Sequence, residues 1–150
     1  MINRILVATD RSDSATRAVD WAAAMAHRYE AELLLLQVIV PENEPGAEAG
    51  AAETTRAGYA AQNLAEFARK IAGDRGRARV VVDTDPARAI VRASEDERVD
   101  VVVVGNLGMS GRKEFLLGNV PNRVSHNARC TVVIVNTAVP ARSRRPWRRA

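Results

Sequence analysis

One cysteine, Cys130, is all the sequence holds. An intrachain disulfide and a multi-cysteine zinc site are therefore excluded. Cys130 precedes an apolar segment and reads as a small packing residue, not a nucleophile. Histidine is nearly as scarce. His27 and His126 are isolated from each other in the sequence, so no metal site is expected. Long hydrophobic runs are missing too. The longest, 31–40 and 99–104, are broken by Glu32, Gln37 and Asp100 and fall short of the ~20 residues that span a bilayer. The opening MINRILVATD passes from a short apolar stretch into charge and shows no leader cleavage site. A soluble, cytoplasmic protein without membrane insertion is expected. There is no GxxxxGK[ST] and no GxGxxG after the first strand, which argues against a P-loop ATPase and a dinucleotide site. Ser110 has no base marked beside it, and no catalytic residue is assigned.

What is present is one domain's worth of chain. The 150 residues are 47% hydrophobic and 27% charged, which excludes a wholly disordered or fibrous chain. A domain of this size buries roughly 70% of its unfolded surface, so no staple is required. The net charge of +4 is misleading. Five arginines (Arg142, Arg144, Arg145, Arg148, Arg149) fall in the last ten residues, and without them 17 bases face 18 acids. The body is near neutral, and a nucleic-acid role does not follow from overall charge.

Two periods alternate along the chain. Ile5 to Ala8 form a short apolar run, as in a strand buried on both faces. Ser12 is placed to cap a helix whose apolar face is Ala15, Ala18, Val19, Ala22, Ala26 and Tyr29. Trp21 on that helix reads as a packing residue. Residues 33–40 form a second strand, and 41–52 read as a Pro- and Gly-rich loop. A helix follows over 53–72, closed by Gly73 and Gly76. A third strand spans 79–82, and Asp85–Pro86 starts a helix. Strands at 99–104 and Thr131–Val135 flank a glycine-bearing loop and a helix through Val120, Val124 and Asn127. This order predicts an open doubly wound α/β domain over 1–137, Rossmann-like, with a parallel sheet and helices on both faces. Residues 138–150 read as a basic, disordered tail. In such sheets ligands sit beyond the carboxyl ends of the strands. That rule points to Thr9 and Asp10, to Val38, and to Gly105.

Residues 104–120 read VGNLGMSGRKEFLLGNV. Gly105, Gly108 and Gly118 are spaced as glycine, two residues, glycine, nine residues, glycine. The first pair allows a tight turn and close approach of backbone to a ligand. Gly118 and Asn119 precede a helix whose first amides lack internal partners and favour an anion such as phosphate. Asn119 can cap that helix or turn its amide donors toward the phosphate. Pro121 fits its first turn but removes one donor. Met109 can cover a ligand. Arg112 and Lys113 can meet phosphates or form a solvated pair. Asp10 reads as a carboxylate near a ribose or a divalent ion, Asp13 as a helix-start residue.

The chain resembles the universal stress proteins over about residues 2–136. The resemblance is carried by ILVATDRS, LLLLQVI and VDVVVVGNLGMSG followed by LLGNVPNRVSHNARCTVVIV. The family's ATP-binding pattern ends in Ser or Thr, where this chain has Asn119. The resemblance implies a five-stranded parallel sheet in order 3-2-1-4-5. It implies ATP, with or without Mg, as ligand, with AMP or cyclic AMP as alternatives given Asn119. Ala8, Thr9 and Asp10 would lie near ribose and metal-phosphate. Val38 would meet the adenine edge. Val104, Gly105 and Met109 would line the nucleotide, and Gly108, Gly118, Asn119 and Val120 would hold phosphates. It further implies a homodimer through Thr131–Val135 and a stress-response or signalling regulator with an unknown protein partner and at most slow ATP hydrolysis. A nucleotide-independent dimeric interaction module is the alternative. The Arg-rich tail around Trp147 would suit a nucleic acid or an acidic partner.

Overall fold

A computed structural model describes residues 1–41, 47–106 and 119–137 of the chain. Five strands form one parallel sheet: β1 (Arg4–Ala8), β2 (Glu32–Ile39), β3 (Gly76–Val82), β4 (Val101–Gly105) and β5 (Thr131–Val135). Their order is β3-β2-β1-β4-β5. The intervening helices are α1 (Asp13–Tyr29), α2 (Ala47–Ala72), α3 (Pro86–Asp96) and α4 (Val120–Asn127).

The central strands are apolar on both faces, and their register sorts those faces by parity. Ile5 pairs with Leu33 on one side and Val101 on the other. Odd-numbered residues (Ile5, Val7, Leu33, Leu35, Val101, Val103) therefore share one face. They pack on Ala18, Val19, Ala22 and Ala26 of α1 and on Leu64 and Ala68 of α2. Even-numbered residues (Leu6, Leu34, Leu36, Val38, Val102, Val104) share the other, under Ala87, Ile90 and Ala93 of α3 and Val120 and Val124 of α4. The run of leucines from 33 to 36 thus feeds two separate cores.

Helix starts follow the predicted caps. The Ser12 hydroxyl accepts from the Ala15 amide, and the Asp85 carboxylate accepts from the Arg88 amide, with Pro86 behind it. Boundaries move where polar residues masked the period. The second strand spans Glu32–Ile39 rather than 33–40. α2 begins at Ala47, so half of the expected 41–52 loop is helical; residues 42–46 lie outside the described residues. β3 begins at Gly76, three residues early. Arg77 hid its start, and both Arg77 and Arg79 reach carboxylates at the strands' amino ends. Arg77 meets Glu32 at 3.8 Å and Glu97 at 3.4 Å, and Arg79 meets Asp96 and Glu97 at 3.3 and 3.4 Å. β4 begins at Val101, because the Asp100 carboxylate turns back to accept from the Asn3 and Arg4 amides at 2.7 and 2.9 Å. Those bonds hold the Asp100 carboxyl below its ordinary range. Trp21 is 36% exposed and does not belong to the α1 core.

Candidate functional site

β1 leaves the sheet through two local bonds. The Thr9 hydroxyl accepts from the Arg11 amide at 3.0 Å, and the Asp10 carboxylate accepts from the Ser12 amide at 2.9 Å. Thr9 is itself buried, and its amide donates to the Leu36 carbonyl at 2.9 Å. The chain thus presents Thr9 and Asp10 at the carboxyl ends of β1 and β2, directly ahead of α1.

A narrow cleft opens there. Of the candidate residues, Ala8, Thr9, Asp10, Val38, Val104, Gly105 and Val120 line it. Six more walls were not foreseen: Ser14 and Ala15 from α1, Leu36 from β2, Ile90 from α3, Pro121 from α4, and Thr137. Leu36 was legible, since it shares a strand face with Val38 two residues on. Thr137 had no signal, because only the β4–β5 register, Gly105 beside Val135, brings it back over the end of β4. The apolar walls are even-numbered strand residues, so the cleft lies on the α3/α4 side of the sheet. The space open to water among these residues is small, about 30 Å³. Gly108, Met109 and Gly118 lie in residues 107–118, outside the described residues, as do Arg112, Lys113 and the tail from 138 onward.

The first turn of α4 borders the cleft through Val120 and Pro121. Asn119 caps that helix, its side-chain oxygen accepting from the Asn122 amide at 3.3 Å, and it is not among the lining residues. No lysine or arginine lines the cleft among the described residues. Negative charge placed there would meet the positive end of α4, although the Asn122 and Arg123 amides are already taken by Asn119 and Pro121 has none. Arg11 serves the other face. Its guanidinium lies 4.1 Å from the centroid of the Phe67 ring, in an open groove with Gln37, Ile39 and Lys70.

α4 is held in place from α3. Arg123 forks onto Asp85 with two bonds of 2.8 Å. The Arg123 bond is the main cause that lowers the Asp85 carboxyl to about 2, and the Arg88 amide adds to it. Arg88 meanwhile pairs with Asp83 at 2.6 Å. The cap of one helix thereby fixes the start of the next, which borders the cleft. Cys130 packs against the α3/α4 core, and burial pushes its thiol up, away from the reactive thiolate.

Comparison with known proteins agrees with this architecture. The model of the universal stress protein family matches residues 1–136. Universal stress protein YxiE of Bacillus subtilis is 30% identical over 154 aligned positions, covering 90% of this chain and 99% of that protein. Universal stress protein Rv1636 of Mycobacterium tuberculosis is 34% identical, covering 89% of this chain and 95% of its own length. A crystal structure of a universal stress protein in complex with cAMP superposes with a TM-score of 0.69 at 31% identity, covering 91% of this chain and 99% of that one. With the sheet order and these matches in agreement, the chain belongs to the universal stress protein family.

Proposed function

We propose that the protein binds an adenine nucleotide in the cleft beside Asp10 and acts as a stress-response or signalling regulator, not as an efficient enzyme. The observation that carries this reading is the convergence of Thr9, Asp10, Val38, Val104, Gly105 and Val120 on one cleft at the carboxyl end of the sheet. The cAMP complex of a relative at 31% identity supports the class of ligand. Val38 and Ile90 give an apolar seat for a base, Asp10 an acceptor for a ribose hydroxyl or a site for Mg, and α4 a positive end for phosphate. Asn119 is spent on a cap, and Pro121 contributes no amide donor, so the grip on phosphate is light. That favours AMP or cyclic AMP beside ATP. It also supports a second reading, in which the fold serves as a nucleotide-independent interaction module. Gly108, Met109 and Gly118, outside the described residues, would complete the proposed cradle. Because the cleft is narrow, binding would select an opened form and change the surface offered to a protein partner.

Asp10→Asn tests the first reading cleanly. The amide oxygen still accepts from the Ser12 amide, so the turn survives while the charge is lost. Calorimetry should show ATP-Mg affinity falling by about tenfold, the worth of one charged hydrogen bond, with an unchanged melting temperature. Unchanged affinity removes Asp10 from the site. Heat from neither ATP-Mg nor cyclic AMP with the parent chain, at millimolar ligand, favours the module.

The second edge of β5 is unpaired by any described strand, and Ile134 on it is 46% exposed. We propose that a second copy covers this edge, giving a homodimer. Ile134→Lys should turn a dimeric parent monomeric in sedimentation equilibrium. A monomeric parent at high concentration contradicts the proposal.

A further inference from the structure

Gly105 ends β4, where a glycine suits both a tight turn and close approach of a ligand. The protein itself also needs the space. A Cβ built on Gly105 would stand 2.9 Å from Cγ2 of Thr137, closer than real side-chain contacts allow. Thr137 follows β5, is 7% exposed and lines the cleft. Its place is fixed by Asn106, the next residue after Gly105. The Asn106 side-chain oxygen accepts from the Thr137 amide at 2.8 Å and from the Thr137 hydroxyl at 3.1 Å. The Asn106 amide in turn donates to the Val135 carbonyl at 2.8 Å, and its side-chain nitrogen faces the Asn136 oxygen at 3.4 Å. The first residue of the glycine-bearing loop thus grips the three residues around the end of β5.

We propose that Asn106 is a positioning residue that seats Thr137 as a wall of the nucleotide cleft, and that Gly105 is glycine to make room for the Thr137 methyl. The role in binding rests on the nucleotide reading above; the clasp itself does not. A threonine held by both its amide and its hydroxyl has one orientation, with its methyl toward Gly105. Loosening it widens the cleft beside Val104 and blurs the contact surface a bound ring would meet.

Two sets of variants decide it. Gly105→Ala should lower the melting temperature by about 5 °C through overpacking. Adding Thr137→Ser, which removes the methyl and keeps the hydroxyl bond to Asn106, should restore at least half of that loss and most of the ATP affinity. Additive losses in the double variant would overturn the size argument. In the second set, Asn106→Ala should speed hydrogen exchange at the Thr137 amide and weaken adenosine binding about fivefold, the worth of one hydrogen bond. Asn106→Asp keeps the accepting oxygen and should restore both, with uncharged adenosine chosen to avoid repulsion from the new carboxylate. Equal adenosine affinity in all three chains, or no recovery with Asn106→Asp, overturns the positioning role. If the parent binds neither ATP nor adenosine, the nucleotide reading and the cleft-wall role fall together. The melting and exchange results then still decide whether the clasp exists.

Discussion

Leu35→Ala and Leu36→Ala should each cost about 3 kcal/mol of stability in denaturant unfolding, yet only Leu36→Ala should alter nucleotide binding. Both leucines are fully buried, and truncating such a residue removes transfer energy and leaves a cavity. They differ in the face they serve. Leu35 points into the α1/α2 core, and Leu36 into the α3/α4 core, where it lines the cleft with Val38 and Ile90. A cavity beside Leu35 weakens the fold and leaves the cleft as it was. A cavity beside Leu36 enlarges the narrow cleft that it lines, so ligand affinity should shift as stability falls. The pair serves as its own control, since matched stability loss with divergent affinity isolates the face. Equal effects on ATP binding would show that the ligand does not sit on the α3/α4 side.

The other large effect lies far from the cleft. Gly76→Val should cost about 3 kcal/mol or more and leave much of the expressed protein insoluble at 37 °C. A Cβ on Gly76 would stand 2.1 Å from the Ala68 carbonyl oxygen and 2.6 Å from its carbon, and neither can swing aside because both are backbone. Relief requires the end of α2 to lift off β3, and with it Ala68, which is fully buried against the α1/α2 core. Chemical unfolding of Gly76→Ala, the milder form, measures the same strain. A loss below about 0.5 kcal/mol would show that α2 yields more freely than its packing implies.

Much of this fold could be read from the residues because local signals agreed with the tertiary outcome. Ser12 and Asp85 marked helix starts that the structure keeps, and the apolar quartets in β1, β2 and β4 marked doubly covered strands. The start of β3 was hidden because its alternate residues are arginines that find their partners only across the sheet edge, on Glu32, Asp96 and Glu97. α2 was read short because its first turns carry Pro- and Gly-rich flanks. At the cleft, sequence position relative to a strand end pointed to Thr9, Asp10, Val38 and Gly105, all of which line it. It could not yield Ile90 or Thr137, which arrive through helix packing and strand register. It read Gly105 as serving a tight turn and a ligand, and missed Thr137, because the neighbour that needs the space is thirty-two residues away in the chain.

Amide chemical shifts of the isotope-labelled chain during titration with ATP-Mg locate a bound adenine nucleotide directly. The predicted result is saturable movement at Thr9, Asp10, Val38, Gly105 and Val120, with Glu32 and Asp100 at the opposite end of the sheet unmoved. Movement clustered instead on Arg11, Phe67 and Lys70, or none at millimolar ligand, would contradict it.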